Sequence, residues 1–163
     1  MMQPPINWSD QVPAHVGGLK IYHAPTNGIL EMRILSDREF GVFGHWDDRA
    51  KRNRPCTDPH GCICQDRSVS MWWKCYLGIQ LVHGHKLGLA EVTSEAWRAC
   101  HGTRLREARG DLRGLKLVLS REPHTPQGRV VCQLLEPSVD LRDGLPPSPD
   151  IKEELQRIWF ARL

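Results

Sequence analysis

The sequence has no apolar run that approaches the length of a membrane-spanning helix, so it predicts no transmembrane segment. No signal peptide opens the chain. We therefore expect a reducing compartment, the cytoplasm, in which disulfide bonds are rare. Internal repeats and low-complexity segments are also absent. These absences together predict a cytoplasmic globular protein with no membrane contact and no disulfide framework.

A strong net charge is lacking as well, since the 163 residues carry a formal charge of only +3. Such a balance permits an acidic partner such as nucleic acid but does not demand one. The composition, 40% hydrophobic and 25% charged, is typical of a soluble globular domain with extensions. We expect an N-terminal extension over residues 1–28, a domain over residues 29–136, and a linker with a C-terminal helix over residues 137–163.

A cluster of cysteine and histidine lies between residues 45 and 64. This stretch has no hydrophobic periodicity, and a loop of such length needs an outside source of order. A structural zinc ion would supply it, because zinc prefers thiolate and imidazole ligands in a tetrahedron. The predicted ligands are one histidine and three cysteines, with a second histidine, His60, as the substitute: His45, Cys56, Cys62 and Cys64.

The same stretch lacks the residues that a catalytic zinc would need. Zinc deaminases carry His-x-Glu followed by Pro-Cys-x-x-Cys, whereas this chain has Pro55 and Cys56 without the other elements. A catalytic site would also need an open coordination position and a general base. We therefore expect a structural zinc and no enzymatic activity. Free thiols, a disulfide and a hydrolytic zinc site are the alternatives.

Alternating apolar residues predict a chain built mainly from β-strands. The predicted strands are a short one at Leu19–His23, then Ile29–Leu35 with its continuation from Phe40 to His45, Ser68–Val82, Lys86–Val92, Leu115–Leu119 and Arg129–Glu136. The strand at Ser68–Val82 is the clearest of them. Its core face would carry Met71, Trp73, Cys75, Leu77, Ile79 and Leu81.

The opposite face of that strand combines aromatic and basic side chains, namely Trp72, Lys74 and Tyr76. Two aromatic rings with a lysine between them can stack bases and hold phosphates. Further basic residues come from the metal loop and its C-terminal flank: Arg49, Lys51, Arg52, Arg54 and Arg67. The alternative is that the two rings are covered by the N-terminal segment or the metal loop, and that the basic run is a solvated loop.

A short helix over Glu95–His101, capped by Ser94, is predicted between the third and fourth strands. The charged stretch Thr103–Arg113 is then predicted as a connector. Three cysteines outside the metal loop are predicted to be buried thiols and poor metal ligands, since free cysteine often behaves as a small hydrophobe: Cys75, Cys100 and Cys132.

A C-terminal helix is predicted to open at Ser148 as the cap and Pro149 at the first helical position. Its apolar residues form one stripe: Ile151, Leu155, Ile158 and Trp159. The stripe either packs on the body of the chain or binds a partner protein, and the sequence leaves both open.

Leaving the short first strand aside, the element order is strand, long loop, two strands, helix and two strands. This order predicts a five-stranded OB-fold barrel, with the zinc loop between the first and second strands and an appended C-terminal helix. An OB-fold binds oligonucleotides on the face of its second and third strands and through two of its loops. The aromatic and basic surface of Trp72, Lys74 and Tyr76 would lie on that face.

Several motifs resemble a largely uncharacterised group of small bacterial and phage-like proteins. They are Gly44-His45-Trp46, Arg54-Pro55-Cys56, Cys62 with Cys64, the tryptophan-rich strand Met71–Leu81, Glu91-Val92-Thr93 with Trp97, and Asp111-Leu112-Arg113-Gly114. Members of this group look like zinc-containing single-stranded-DNA-binding proteins with an OB-fold, and the helix-destabilising protein of T-even phages is a more distant analogue. This chain departs from the group in its closing Cys-x-Cys pair and in lacking an acidic tail.

The resemblance, which covers about residues 45–136, implies zinc ligation by His45, Cys56, Cys62 and Cys64. It also implies binding of single-stranded DNA. Base stacking by Trp72 and Tyr76 would give this binding little sequence preference, and no motif of the sequence distinguishes DNA from RNA. The alternative is an interaction subunit of a larger nucleic-acid-processing or mobile-element complex, which the apolar C-terminal stripe would join to its partner.

Overall fold

One eight-stranded sheet forms the body of the protein over the residues that the structure, a computed structural model, describes: 19–47, 52–56 and 71–159. The strands are β1 (Lys20–Tyr22), β2 (Leu30–Ile34), β3 (Phe40–Asp47), β4 (Arg52–Pro55), β5 (Met71–Leu81), β6 (Leu87–Thr93), β7 (Lys116–Glu122) and β8 (Arg129–Leu135). The helices of these ranges are α1 (Ser94–Ala99), α2 (Gly102–Arg109) and α3 (Ile151–Trp159), with a 3-10 turn at Arg142–Gly144. None of them is long and apolar enough to cross a membrane. The prediction of a mainly β chain with a C-terminal helix is confirmed.

β5 is the longest strand, and it pairs along both edges with three other strands. One edge pairs antiparallel with β6, which places Tyr76 opposite Glu91. The other edge pairs with β3 over the first half of β5 and with β2 near its end, so β2 and β3 form one interrupted strand. β7 pairs with β2, β8 with β7 and β4 with β3, all antiparallel, whereas β1 adds to β6 in parallel.

The five main predicted strands are therefore paired in the order third, second, first, fourth, fifth, as β6, β5, β2 with β3, β7 and β8. A barrel would close only if the end strands β6 and β8 paired with each other. No ladder joins them in the described ranges, and β1 pairs with β6 instead. The sheet is open, and the predicted five-stranded OB-fold barrel is not confirmed.

The main core lies on the face of β5 that carries Cys75, Leu77 and Ile79, and we call it the core face. These three side chains are fully buried, as the alternation of the sequence predicts, whereas Met71 at the start of the strand is exposed. α1 adds the buried Trp97 to this core. The Trp73 ring packs over Gly41, where a Cβ would collide with it. The alternation of β5 therefore correctly identified the core face.

The opposite face of β5, which we call the α3 face, is covered in part by α3. The buried residues between them form a second, smaller cluster: Val42, Tyr76, Leu89, Ile151 and Leu155. The chain enters α3 close to the sheet, because a Cβ at Gly78 would collide with Ser148. The helix is capped by Asp150, whose Oδ1 accepts a hydrogen bond from the Glu153 N–H (3.0 Å), and not by Ser148 as predicted.

Two segments that were predicted as irregular form regular elements. Residues 52–55 form β4, which pairs with β3 as a hairpin within the predicted metal loop. The predicted charged connector contains α2, which ends at Gly110 in the left-handed conformation that favours glycine. α1 includes Ser94 as its first residue, since the cap is Thr93, whose Oγ1 accepts from the Ala96 N–H (3.3 Å).

Candidate functional site

His45 lies near the end of β3 with only 3% of its surface exposed. Its Nδ1 donates a hydrogen bond to the backbone oxygen of Trp46 (3.2 Å), because a carbonyl can only accept. That bond fixes the tautomer in which Nε2 carries the lone pair. Metal-bound histidines are oriented by this kind of bond from the other ring nitrogen, so His45 fits the role of a zinc ligand.

Cys56 directly follows β4, and its N–H donates to the Phe43 oxygen (2.7 Å). The β3–β4 register therefore continues by one pair and sets Cys56 opposite Phe43, two residues before His45. Side chains at alternate positions share a face, so His45 and Cys56 are diagonal neighbours on one face of the hairpin. Such neighbours have Cα atoms about 7–8 Å apart, which is within reach of a shared metal ion.

The other candidate ligands, His60, Cys62 and Cys64, lie outside the described residues. Within the described part of the chain, no three metal-ligating side chains come together. The zinc prediction therefore has two of its four ligands in a compatible arrangement, and it stays a prediction.

The basic run of the predicted metal loop is placed in part by β4. The register sets Arg54 opposite His45 and Arg52 opposite Asp47 at the backbone level. Arg49, Lys51 and Arg67 lie outside the described residues.

Trp72 and Lys74 lie on the α3 face of β5, as the sequence predicts. The Lys74 ammonium is 4.8 Å from the centroid of the Trp72 ring, a cation–π contact. The same ammonium donates to Oε1 of Glu91 (2.9 Å). Lysine and tryptophan are thus held together on one face, and the lysine charge is already shared with a carboxylate.

Glu91 on β6 collects three hydrogen bonds from around it. His23 Nδ1 donates to Oε1 (3.2 Å), Lys74 donates to the same oxygen, and the Tyr76 hydroxyl donates to Oε2 (2.8 Å). Burial alone would raise the pKa of Glu91, but the bonds from His23 and Lys74 outweigh burial and lower it to about 2. The carboxylate is therefore charged at neutral pH and anchors this part of the face.

Tyr76 does not offer a surface for stacking in this conformation. Its side chain is 0% exposed and belongs to the cluster under α3. The Trp159 ring meets it edge-on, with centroids 5.4 Å apart. Burial, followed by the charge of Glu91, raises the pKa of its hydroxyl, which remains a donor. The predicted stacking of Tyr76 on bases is not compatible with this conformation, because α3 covers the ring. The sequence left open that the ring is covered, but by the N-terminal segment or the metal loop and not by α3.

Trp46 is an aromatic residue of this face that the sequence reasoning did not select. Strand alternation puts it on the same face as Gly44, which lies opposite Trp72, so the two tryptophans are diagonal neighbours. The Trp46 side chain is 47% exposed. The sequence does show a tryptophan two residues after Gly44, the spacing at which two strand residues share a face. The strand was expected to end before this position, which was assigned to the metal loop.

The segment from Ser148 to the end of α3 contacts the sheet around Gly78 and Tyr76, through Ser148 ahead of the helix and Trp159 at its end. Trp72 and Trp46 lie farther along β5 and β3, toward Met71. We call Trp46, Trp72 and Lys74 the tryptophan patch.

Comparison with known proteins identifies no relative of this chain. No family model, no curated protein and no solved structure matches the chain.

Proposed function

We propose that the protein binds single-stranded nucleic acid without enzymatic activity, through the tryptophan patch and the basic residues of the predicted metal loop and its C-terminal flank. The observation that carries this proposal is the shared face of Trp46 and Trp72, with the Lys74 ammonium beside the second ring. Flat aromatic rings stack on bases of any sequence, because every base has a π-face. A nearby cation attracts the phosphates between successive bases.

The position of the patch in the sheet supports the same proposal. β5 is the second of the five main strands and pairs with the third, β6. Trp72 and Lys74 lie on the α3 face of β5, and Trp46 lies on the same face of the neighbouring β3. OB-folds bind oligonucleotides on the face of their second and third strands. The pairing order is compatible with a barrel that is opened between its third and fifth strands. We therefore keep an OB-like architecture as part of the proposal.

Zinc is the proposed source of order for the loop beside the patch. His45 and Cys56 would hold the ion together with Cys62 and Cys64, and His60 is the substitute for one of them. The bound ion would supply coordinate bonds that fix the loop, and no reaction chemistry. The ordered loop would then present Arg49, Lys51, Arg52, Arg54 and Arg67 to phosphates.

The patch can be tested by comparing the affinities of three variants for a fluorescent oligo-dT. Trp46→Ala and Trp72→Ala should each weaken binding by about tenfold, since loss of one stacked base costs about 1–3 kcal/mol. Ile29→Ala is the matched control. Ile29 is an apolar residue with 60% exposure that lies beside Leu81, at the end of β5 away from Trp72 and from the proposed zinc ligands.

The control should bind like the wild type. Equal losses in all three variants would mean that the protein has unfolded, and circular dichroism of each variant would detect that. Retained affinity in both tryptophan variants, with the fold intact, would refute the proposed surface.

The alternative function is a zinc-stabilised interaction subunit of a larger nucleic-acid-processing complex. The apolar stripe of α3 motivates it, but Ile151 and Leu155 are buried against the chain's own sheet. A partner using this stripe would have to displace the helix from Tyr76. We therefore prefer direct nucleic-acid binding, and protein that fails to bind any oligonucleotide at low salt would favour the alternative.

A further inference from the structure

The tryptophan patch ends where α3 begins to cover the same face of the sheet. Along β5, Trp72, Lys74 and Tyr76 follow one another at alternate positions and therefore share a face. Trp72 and Lys74 are partly accessible, whereas Tyr76 is fully buried beneath α3. Val42, which lies directly opposite Lys74 on β3, also belongs to the cluster under the helix. The covered surface therefore directly adjoins the patch.

α3 lies in the path that a nucleic acid would follow along this face. The Trp159 ring contacts the Tyr76 ring edge-on, with centroids 5.4 Å apart, and Leu155 is buried in the same cluster. Strand residues at alternate positions are about 7 Å apart. A single strand that stacks on Trp72 and runs toward Tyr76 would therefore meet α3 about 7 Å beyond Lys74.

The chain that leads into α3 is anchored to the body as far as Leu145. Arg113 donates to the backbone oxygens of Arg142 (3.1 Å) and Leu145 (2.7 Å). Residues 146–149 read Pro-Pro-Ser-Pro, and proline has no N–H with which to bind the sheet. The Ser148 hydroxyl donates to the carbonyl of the following residue (2.9 Å), a bond within the segment. A helix that leaves the sheet as a rigid body would turn at these four residues.

The contacts of α3 divide into those that undocking would break and those that it would keep. Ile151 and Leu155 make the apolar contact with the sheet. Arg157 donates to Glu153 (2.6 Å) and to Glu154 (2.8 Å) within the helix itself. Undocking would break the apolar contact and leave these ion pairs in place.

We propose that α3 is an autoinhibitory lid on the nucleic-acid-binding face. The docked helix leaves the tryptophan patch accessible for a first contact, and a longer oligonucleotide displaces the helix and binds the surface around Tyr76. This inference rests on the proposed nucleic-acid binding and adds its regulation. The apparent affinity of such a protein is reduced in proportion to the fraction of molecules that are open. A change that loosens the lid therefore strengthens binding while it lowers stability.

That combination is tested in the full-length protein by titration with a fluorescent oligo-dT. Leu155→Ala should bind about tenfold more tightly than the wild type, because loss of the buried leucine contact raises the open fraction. Lys152→Ala is the matched control, since Lys152 is exposed on the same helix, and it should not gain affinity. Circular dichroism checks that each variant is folded.

Amide hydrogen exchange of the wild-type protein tests the lid without any variant. We expect the amides of α3 to exchange faster when a saturating oligo-dT is bound, because the helix has left the sheet. The amides of β5 and β6 should keep their protection, which would exclude general unfolding.

Two results would overturn the lid. One is a folded Leu155→Ala protein that binds no more tightly than the wild type, and the other is unchanged or increased protection of α3 in the complex. If Trp72→Ala still weakens binding in that case, the lid alone fails and the proposed function stands. If neither the wild type nor Leu155→Ala binds oligo-dT or the matching RNA at low salt, both fail.

Discussion

Glu91 shows how one buried carboxylate can organise a sheet face. It accepts hydrogen bonds from His23, Lys74 and Tyr76, which come from the segment after β1 and from β5. Its neighbours across the ladder fix its position, since Tyr76 is its direct pair. A buried carboxylate without hydrogen-bond partners lowers stability by more than the bonds themselves raise it, because the free energy of its desolvation is then not compensated. Glu91 therefore stabilises the arrangement in which Tyr76 is buried and Lys74 leans over Trp72.

We expect acid sensitivity to originate in part at Glu91. The pKa of this group is lowered from 4.5 to about 2 in the folded protein. Its stabilising effect, about 3 kcal/mol, is present above pH 4.5 and is lost as the pH falls through 2. Urea unfolding between pH 7 and pH 2 should show wild type losing stability in this range more steeply than Glu91→Gln.

Glu91→Gln should also be the less stable protein at pH 7, because it leaves Lys74 without its counter-charge. The two proteins should converge at low pH. Parallel pH profiles for both proteins would contradict this role for Glu91.

At single positions the sequence predicted burial better than exposure. The alternation of β5 correctly placed Cys75, Leu77 and Ile79 in the core. It could not show that Tyr76 is covered, because that depends on where a helix 75 residues later in the chain docks. Trp46 was not selected as a surface residue because the sequence around it shows no alternation. Its place on a strand becomes visible only through the pairing of β4 with β3.

Among the elements, α3 is held by its apolar side against the α3 face. Leu155 is 0% exposed and lies in the cluster with Tyr76 and Val42. The polar side is stabilised by Arg157, which donates to Glu153 (2.6 Å) and Glu154 (2.8 Å). The stripe seen in the sequence is therefore used within the chain.

Leu155→Ala should lower the free energy of unfolding by about 2–5 kcal/mol, the usual cost of truncating a buried leucine. Lys152→Ala is the matched control, because Lys152 is exposed on the same helix. Urea denaturation measures both. A Leu155→Ala protein as stable as the Lys152→Ala control would mean that α3 does not dock on the sheet in solution.

α2 illustrates an element that the sequence did not reveal. Half of its residues are charged and the others give no apolar stripe, so the segment was predicted as a connector. The helix is held instead by tertiary ion pairs, Arg106 with Glu39 (2.7 Å) and Arg109 with Glu136 (2.9 Å). Because these partners lie 67 and 27 residues away in the sequence, they produce no local pattern that predicts the helix.

For the whole molecule, local patterns gave the order of the elements but not the closure of the sheet. Strand order, alternation and turn residues predicted five strands in nearly their observed positions. Closure depends on whether β8 reaches β6, and the structure shows α1 packed against β8 and β1 paired with β6 instead. Such long-range pairings are decided by tertiary packing, which no window of sequence contains.

We propose that a zinc-ordered loop and the tryptophan patch together bind single-stranded nucleic acid. The most direct measurement is a fluorescence titration of oligo-dT with the wild-type protein, at low and high salt, with and without a zinc chelator. We predict binding that weakens as salt rises, because phosphate contacts release counterions, and that is lost after chelation. Absence of binding to oligo-dT and to the matching RNA at low salt would show that the protein does not bind single-stranded nucleic acid directly, and binding unaffected by chelation would show that zinc is not required.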